Sequence, residues 1–182
     1  MESLRGRLLI ASPAIHDPSF RQSVVLLAEH TEEGAMGVVL NRESTATVGD
    51  VVPSLAELAG EDAPVFVGGP VSGSSVTVVA QFAEPGRAAL LVHEDVGFVP
   101  AGEDDRAALH AGLLRTRVFA GHAGWGPGQL EAEMEEESWI VEEPLTGDLF
   151  TEDPQGLWSR ILRRKGGGYV LISTMPPDPG RN

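Results

Sequence analysis

The chain has 182 residues, of which 42% are hydrophobic, enough for one well-packed domain but too few for two independent ones. Its 13 basic and 27 acidic side chains give a net charge of −14, which repels a phosphate backbone and disfavours direct binding to nucleic acid. The absence of cysteine excludes disulfides, thiolate nucleophiles and thiolate metal sites.

The sequence contains no apolar run long enough for a membrane helix. Its first residues also lack the long apolar stretch and the cleavage site of a secretion signal. We therefore expect a soluble, cytoplasmic protein that does not bind membranes. We expect a single domain over residues 1–182, in which the proline-rich residues 176–182 form a loose tail.

Short apolar runs that are rich in branched residues and bounded by turn formers predict the strands. Several of these runs lack polar alternation, so we expect the sheet to be covered on both faces. In chain order, the predicted strands are residues 23–30, 37–41, 64–69, 75–82, 88–94, 116–123 and 138–143.

Helical patterns lie before and between these strands. Asp17 as a cap and Pro18 as the first helical residue predict a short helix, and Pro53 is expected to kink or split a second one. The predicted helices are residues 17–22, 48–59, 103–115 and 127–137, with a last one around Trp158. Because strands and helices do not alternate strictly, the order indicates a mixed α/β or α+β domain.

The sequence has no glycine motif for binding a nucleotide and no nucleophile elbow. Gly68, Gly69 and Pro70 follow a predicted strand, but no helix pattern opens behind them. A tight turn or a close backbone approach is therefore favoured over a phosphate loop. The basic cluster at residues 160–165 is interpreted as cations that complement a helix dipole rather than as a phosphate-binding patch.

The five histidines lack the spacing of metal ligands, and the glutamates after residue 130 alternate between faces. We therefore expect no metal site and no cofactor. His30 closes a predicted strand directly after Glu29, so two interpretations stay open. It could be a carboxylate-tuned base, or a strand-end histidine whose polar tip reaches solvent, which is favoured.

The segment from Gly121 to Trp139, GHAGWGPGQLEAEMEEESW, holds two of the three tryptophans. Gly126 is predicted to cap a helix that begins at proline, which would hold Trp125 at the helix entrance. Gln129 falls at the third helical position and can reach back toward the cap. Glu131 lies one helical turn behind Trp125 and could point into the same cleft as the tryptophan. The later glutamates are expected on a solvated face of the helix.

Three separated segments carry a family resemblance: GRLLIASPAIHDPSFRQSVVLLAEHTEEGAMGVVLNR, VFVGGPV, and FAGHAGWGPGQLEAEMEEESW. Together they resemble the YqgE/AlgH family of small bacterial proteins over nearly the whole chain. The resemblance implies one α/β (mixed α+β) domain with a bifurcated β-sheet that forms a pseudo-barrel flanked by helices. One position departs from the family pattern, because His122 stands where tyrosine is more frequent.

The resemblance implies a link to transcriptional regulation without a mechanism, and the charge disfavours direct DNA binding. We prefer a non-enzymatic regulatory protein that recognises a small molecule or a protein partner in a cleft. The residues expected to line this cleft are His30, Asn41, Gly69, Pro70, Trp125, Gln129 and Glu131.

Two other hypotheses stay open. The chain could be a hydrolase with His30 or Glu131 as general base and backbone amides near Gly69 as oxyanion donors. Alternatively, the motifs are purely architectural, because packing alone can require glycine and tryptophan at turns. A Trp125 ring enclosed in the core would favour architecture.

Overall fold

A computed structural model of the chain describes residues 2–102, 105 and 109–177, and the ten strands in this part form one open sheet. The strands are β1 Leu8–Ala11, β2 Val24–Thr31, β3 Gly34–Val39, β4 Glu43–Thr47, β5 Pro64–Val67, β6 Val71–Phe82, β7 Leu90–His93, β8 Val96–Phe98, β9 Leu113–Trp125 and β10 Trp139–Glu142.

Strand β9, with 13 residues, is the element at which the sheet divides. One of its edges pairs antiparallel with β6. The other edge is shared, because residues 118–120 pair in parallel with β5 and residues 123–125 pair antiparallel with β3. One branch then continues through β2 and β1 to β10, and the other continues to β4. This arrangement confirms the bifurcated sheet and the mixed α+β class.

The sheet curls without closing. Its two end strands on the main path are β10 and β7. The Arg5 guanidinium donates to the Leu91 carbonyl of β7 at 2.6 Å, so a side chain connects the segment before β1 with the far end of the sheet. Within the described residues no ladder joins these ends, so the shape is a pseudo-barrel.

The helices are short, and none in the described residues has the length and hydropathy to cross a membrane. Pro53 divides the predicted helix 48–59 into two helices and a 3-10 turn, because proline lacks the N–H that a continuous helix needs. The helices are α1 Val48–Val51, α2 Ala56–Ala59, α3 Gln129–Glu135, α4 Thr146–Leu149, α5 Leu157–Lys165 and α6 Tyr169–Ile172, with 3-10 turns at Pro53–Leu55, Pro85–Arg87 and His110–Gly112.

Two helix predictions differ from the structure. Residues 17–22 form turns rather than a helix, although Asp17 does act as a cap by accepting the Ser19 N–H at 2.8 Å. Six residues are too few to stabilise an isolated helix, and Gln22 has a left-handed φ of 54°. In the predicted helix 103–115, residues 103, 104 and 106–108 lie outside the described part. The last three residues belong to β9, because pairing with β6 overrides the local pattern.

Three short strands, β1, β4 and β8, lie outside the predicted strand ranges. Each has three to five residues and depends on its neighbours in the sheet. The predicted tail begins at Pro176, whose carbonyl accepts from the Gln22 side chain at 3.1 Å. Residues 178–182 lie outside the described part, so the loose tail stays a prediction.

The core has apolar layers on both sides of β2, as its unbroken apolar run predicts. Val24 and Leu26 pack in the cluster that includes Leu157 and Ile161 of α5. Val25 and Leu27 face the opposite way, toward the cluster that includes α3. Helices α1 and α2 cover a third apolar cluster on β5, β6 and β9.

The basic cluster at the end of α5 pairs with carboxylates. Arg164 donates two hydrogen bonds, at 2.9 and 2.8 Å, to Asp148, and these raise the pKa of Arg164. Asp148 is buried and also accepts the Leu145 N–H, so it fixes α4 against α5. Lys165 bonds Glu142 of β10 at 3.1 Å. These cations therefore hold the helix layer to the sheet.

We expect Asp148→Ala to lower the free energy of unfolding by about 2 kcal/mol, because it removes a buried carboxylate that accepts two charge-assisted hydrogen bonds from the Arg164 guanidinium and one from the Leu145 N–H. Arg163→Ala is the control, because it removes an exposed cation next to Arg164 in α5. It should change the free energy of unfolding by less than about 0.5 kcal/mol. Urea unfolding of both variants measures the difference. Equal losses in the two variants would contradict this role for Asp148.

Candidate functional site

His30 lies buried in β2 and uses both ring nitrogens inside the protein, so the expectation that its polar tip reaches solvent is wrong. Its Nδ1 accepts the Leu4 backbone N–H at 2.9 Å, so the ring proton is on Nε2. Nε2 donates to Oε1 of Glu131 on α3 at 2.7 Å. His30 therefore joins the N-terminal segment, the sheet and α3, and it has no free lone pair with which to act as a general base.

Glu131 is correspondingly a weak base. The hydrogen bond from His30, followed by one from its own backbone N–H, holds the pKa of the Glu131 carboxyl below its usual value. General bases work best when their pKa lies near the operating pH, and this shift moves Glu131 away from neutrality. The hydrogen bond between His30 and Glu131 therefore makes each of them less suited to act as a general base.

Glu133 is the acceptor that the sequence interpretation missed. Its Oε2 accepts the indole N–H of Trp125 at 2.9 Å and that of Trp139 at 2.8 Å. Its Oε1 accepts the Gln129 amide at 3.1 Å. The expectation of a solvated face is wrong for Glu133. A usable signal was present, because two tryptophans beside one helix each need an acceptor when they are buried.

Trp125 is enclosed rather than displayed, because only 6% of its surface is exposed. Its ring lies 5.9 Å from Trp139 and 6.3 Å from Phe20, and the last two rings are 6.0 Å apart. Phe20 belongs to the turn that Asp17 caps. This aromatic cluster therefore packs the turn against α3 and β9, and it favours an architectural role for Trp125.

Gln129 makes the reach-back bond that the sequence predicts. Its Oε1 accepts the Gly126 N–H at 3.0 Å, while the Gln129 N–H donates to the Gly126 carbonyl at 3.1 Å. The prediction that Gly126 caps a helix beginning at Pro127 is wrong, because Gly128 adopts a left-handed φ of 74° and the helix begins at Gln129 with Gly128 as its N-cap. The entrance of α3 is thus fixed by Gln129, and Glu131 instead holds His30.

Gly69 marks the point where the chain crosses β9 from its β5 edge to its β6 edge. A Cβ at Gly69 would lie 2.2 Å from the His122 carbonyl carbon, and its φ of 152° also favours glycine. The Gly68 N–H donates to the Ala120 carbonyl at 2.8 Å. The close backbone approach favoured from the sequence is present here, and the Gly68 amide is not available as an oxyanion donor.

Asn41 is buried and bonded on both sides of its amide. Its Oδ1 accepts the Val24 N–H at 2.9 Å, and its Nδ2 donates to the Gln22 carbonyl at 2.9 Å. Asn41 therefore fastens the end of the 17–22 turn onto β2.

A groove of about 290 Å³ opens where the β3 and β5 branches separate, and we call it the fork groove. Arg42 borders it and donates to the Arg21 carbonyl, but no carboxylate of the described residues lies within 4.0 Å of its guanidinium. Burial, and then the charge of Arg21, lower the pKa of Arg42. The lining residues are Pro18, Ser19, Val39, Arg42, Glu43, Val67, Gly69 and Pro70.

The predicted site residues thus separate into two places. Gly69 and Pro70 line the fork groove, and Asn41 holds the turn that forms one wall. The other four, His30, Trp125, Gln129 and Glu131, belong to the hydrogen-bond network around α3. In the part of the chain that the structure describes, no three acidic or histidine side chains are arranged to hold a metal ion.

We expect Glu133→Ala to destabilise the protein by about 2 kcal/mol or more, because two buried indole N–H groups would lose a charged acceptor. Glu135→Ala, which alters an exposed glutamate of the same helix, is the matched control. Urea unfolding followed by tryptophan fluorescence measures both. A Glu133→Ala variant as stable as the control would remove Glu133 from this role.

We expect the stabilising effect of Glu131 to depend on pH. Because its pKa is lowered in the folded state, its contribution is complete above the ordinary value of 4.5 and is lost as the pH falls through the folded pKa. Glu131→Gln should therefore unfold at a lower urea concentration than the wild type at neutral pH, and the gap should shrink in acid. A gap that stays constant or grows on acidification would contradict the assignment, and Glu135→Gln serves as control.

Comparison with known proteins places these features in a family. The AlgH-like family model matches residues 8–170. A UPF0301 protein of Streptomyces coelicolor is 46% identical over 188 residues, covering 100% of this chain and 97% of the relative. A UPF0301 protein of Thermobifida fusca is 41% identical over 191 residues, covering 99% of this chain and 96% of the relative.

Solved structures agree with the fold. The crystal structure of a protein from Corynebacterium diphtheriae superposes with a TM-score of 0.86 at 29% identity, covering 96% of this chain and 94% of that chain. The solution structure of the AlgH protein from Pseudomonas aeruginosa gives 0.71 at 29% identity, covering 96% of this chain and 95% of that chain. The chain therefore belongs to the AlgH-like family, the YqgE/AlgH family that its sequence motifs resemble.

Proposed function

We propose that the protein is a non-enzymatic, cytoplasmic regulatory protein that binds a small acidic molecule in the fork groove. The observation that carries this proposal is Arg42, a partly buried guanidinium without a carboxylate partner in the described chain, beside the exposed side chain of Val67. A ligand with an anionic group next to an apolar part matches both features.

The size and lining of the groove support a small molecule. Its volume of about 290 Å³ lies at the lower end of the range for ligand pockets. Its apolar walls come from Pro18, Val39, Val67 and Pro70, and its polar groups come from Arg42, Ser19 and Glu43. Small-molecule sites generally combine mostly apolar walls with a few polar groups that fix orientation.

The walls are also held in place before any ligand binds. Gly69 lies directly against the His122 backbone, so the Gly69–Pro70 wall has little freedom to move. Asn41 fixes the turn that contributes Pro18 and Ser19. A preorganised site loses less entropy on binding, which favours a binding function for this groove.

A hydrolase is the weaker alternative. The lone pair of His30 is used by Leu4, and the carboxylate of Glu131 has a lowered pKa. The net charge of −14 argues against nucleic acid as the direct partner, so we propose that any effect on transcription passes through the ligand or a protein partner.

The proposal is tested with Val67→Asp, which places a negative charge in the groove. We expect mass spectrometry of the wild-type protein, purified from its native host and sprayed from a non-denaturing buffer, to detect a bound small molecule. Val67→Asp should lose it. Val170→Asp is the matched control, because Val170 on α6 is 43% exposed and Val67 is 46% exposed.

Two results would overturn the proposal. One is a wild-type protein that carries no small molecule from its native host. The other is a bound molecule that Val67→Asp retains as well as Val170→Asp does, which would place the binding elsewhere.

A further inference from the structure

Arg117 of β9 lies on an aromatic floor on the face of the sheet opposite α1 and α2. Its guanidinium carbon is 4.4 Å from the centre of the Phe66 ring, and Phe66 in turn packs on Phe119 at 5.8 Å. Both phenylalanines are fully buried, with 1% and 0% of their surfaces exposed. The aromatic faces hold the guanidinium by a cation–π interaction, but they supply no hydrogen-bond acceptor for its N–H groups.

The Arg117 guanidinium lacks the partner that such a charge requires. Its Nη1 atom is buried and has no hydrogen-bond acceptor within the described protein. No carboxylate of the described residues lies within 4.0 Å of it. Burial lowers the pKa of Arg117, and the nearby charge of Glu43 only partly opposes this effect. Buried charges in proteins are normally paired, because desolvation is costly.

A second unpaired group lies on the neighbouring strand. Thr77 of β6 has a buried hydroxyl oxygen without a hydrogen-bond partner. Thr77 stands opposite Phe119, and Val79 stands opposite Arg117 in the same ladder. Residues two apart on a strand share a face, so Thr77 and Arg117 are diagonal neighbours on one face of the sheet. A hydroxyl and a guanidinium at this spacing can donate to the same small acceptor.

A second arginine and an open groove lie next to Arg117 along β9. Arg115, two residues before Arg117, lies on the same face and stands 6.0 Å from the Phe150 ring. Arg115 and Phe150 line an open groove of about 690 Å³, together with Arg160 and Thr151. Arg160 is already paired with Asp153, whereas Arg115 has no carboxylate within 4.0 Å in the described chain. Glu152 and Asp153 also line this groove, and Arg117 follows two residues after Arg115 along β9.

We propose that Arg117 and Thr77 form a second site, separate from the fork groove, which binds a small oxyanion such as a phosphate or a carboxylate group. The oxyanion accepts from the Arg117 guanidinium and from the Thr77 hydroxyl, and it neutralises a charge that the protein leaves unpaired. Planar guanidinium donors suit oxyanions particularly well. This site does not depend on the fork groove, so the two proposals fail or succeed separately.

The test measures the melting temperature of the full chain as inorganic phosphate replaces chloride at constant ionic strength. An anion that binds only the folded state raises the melting temperature in a saturable way. We expect this saturable rise in the wild type and in Arg163→Met, which removes an exposed cation of α5. Arg117→Met should abolish it. A parallel series with acetate shows whether the site prefers a phosphate or a carboxylate.

Thr77→Val keeps the test decisive if Arg117→Met does not fold. This change preserves shape and removes only an unpaired hydroxyl, so the melting temperature without phosphate should not fall. The half-saturating phosphate concentration should rise about tenfold, as expected for the loss of one charge-assisted hydrogen bond.

Three results would overturn the proposal. A rise that is equal in wild type, Arg117→Met and Thr77→Val would show an adventitious ion only. A rise without saturation would show a general salt effect. The absence of any response to phosphate and to acetate in the wild type would show that no oxyanion binds there.

Discussion

Both branches of the sheet hydrogen-bond to the same edge of β9, and this sharing constrains the rest of the molecule. Strand β5 can pair with β9 on one edge and β6 on the other only if the chain passes over β9 between them. That passage occurs at Gly68 and Gly69, where backbone lies on backbone and no Cβ fits. The separation of the branches then creates the fork groove beside the crossing.

Although the chain carries a large excess of acidic side chains, several of its carboxylates accept hydrogen bonds from other side chains of the protein. Glu131 accepts from His30, Glu133 accepts from two tryptophans, and Asp148 accepts from Arg164. Each bond joins a helix to the sheet, to another helix or to a neighbouring turn. Motifs that suggested catalysis are therefore used to position α3 and α5, since charged acceptors form the stronger hydrogen bonds.

The arginines fall into two groups, those with a carboxylate partner and those without one in the described chain. Arg164 and Arg160 pair with aspartates, whereas Arg42 and Arg117 are partly buried without a carboxylate within 4.0 Å in the described chain. In a protein with 27 acidic residues, two partly buried guanidinium groups without a nearby carboxylate are unexpected. Both lie close to the fork in the sheet, which is why we propose that ligand recognition takes place in this region.

The sequence by itself determined the family through its motifs. It also determined the mixed class and most of the strands, because apolar runs and turn formers act locally. It further predicted the split at Pro53 and the hydrogen bond from Gly126 to the Gln129 side chain, which depend on residues a few positions apart. Only the tertiary structure decided that His30 meets Glu131, that Glu133 accepts from two tryptophans, and that Arg42 and Arg117 have no carboxylate within 4.0 Å in the described chain. His30 and Glu131 are 101 residues apart in sequence, and Glu133 meets its two tryptophans only because α3 packs beside the ends of β9 and β10.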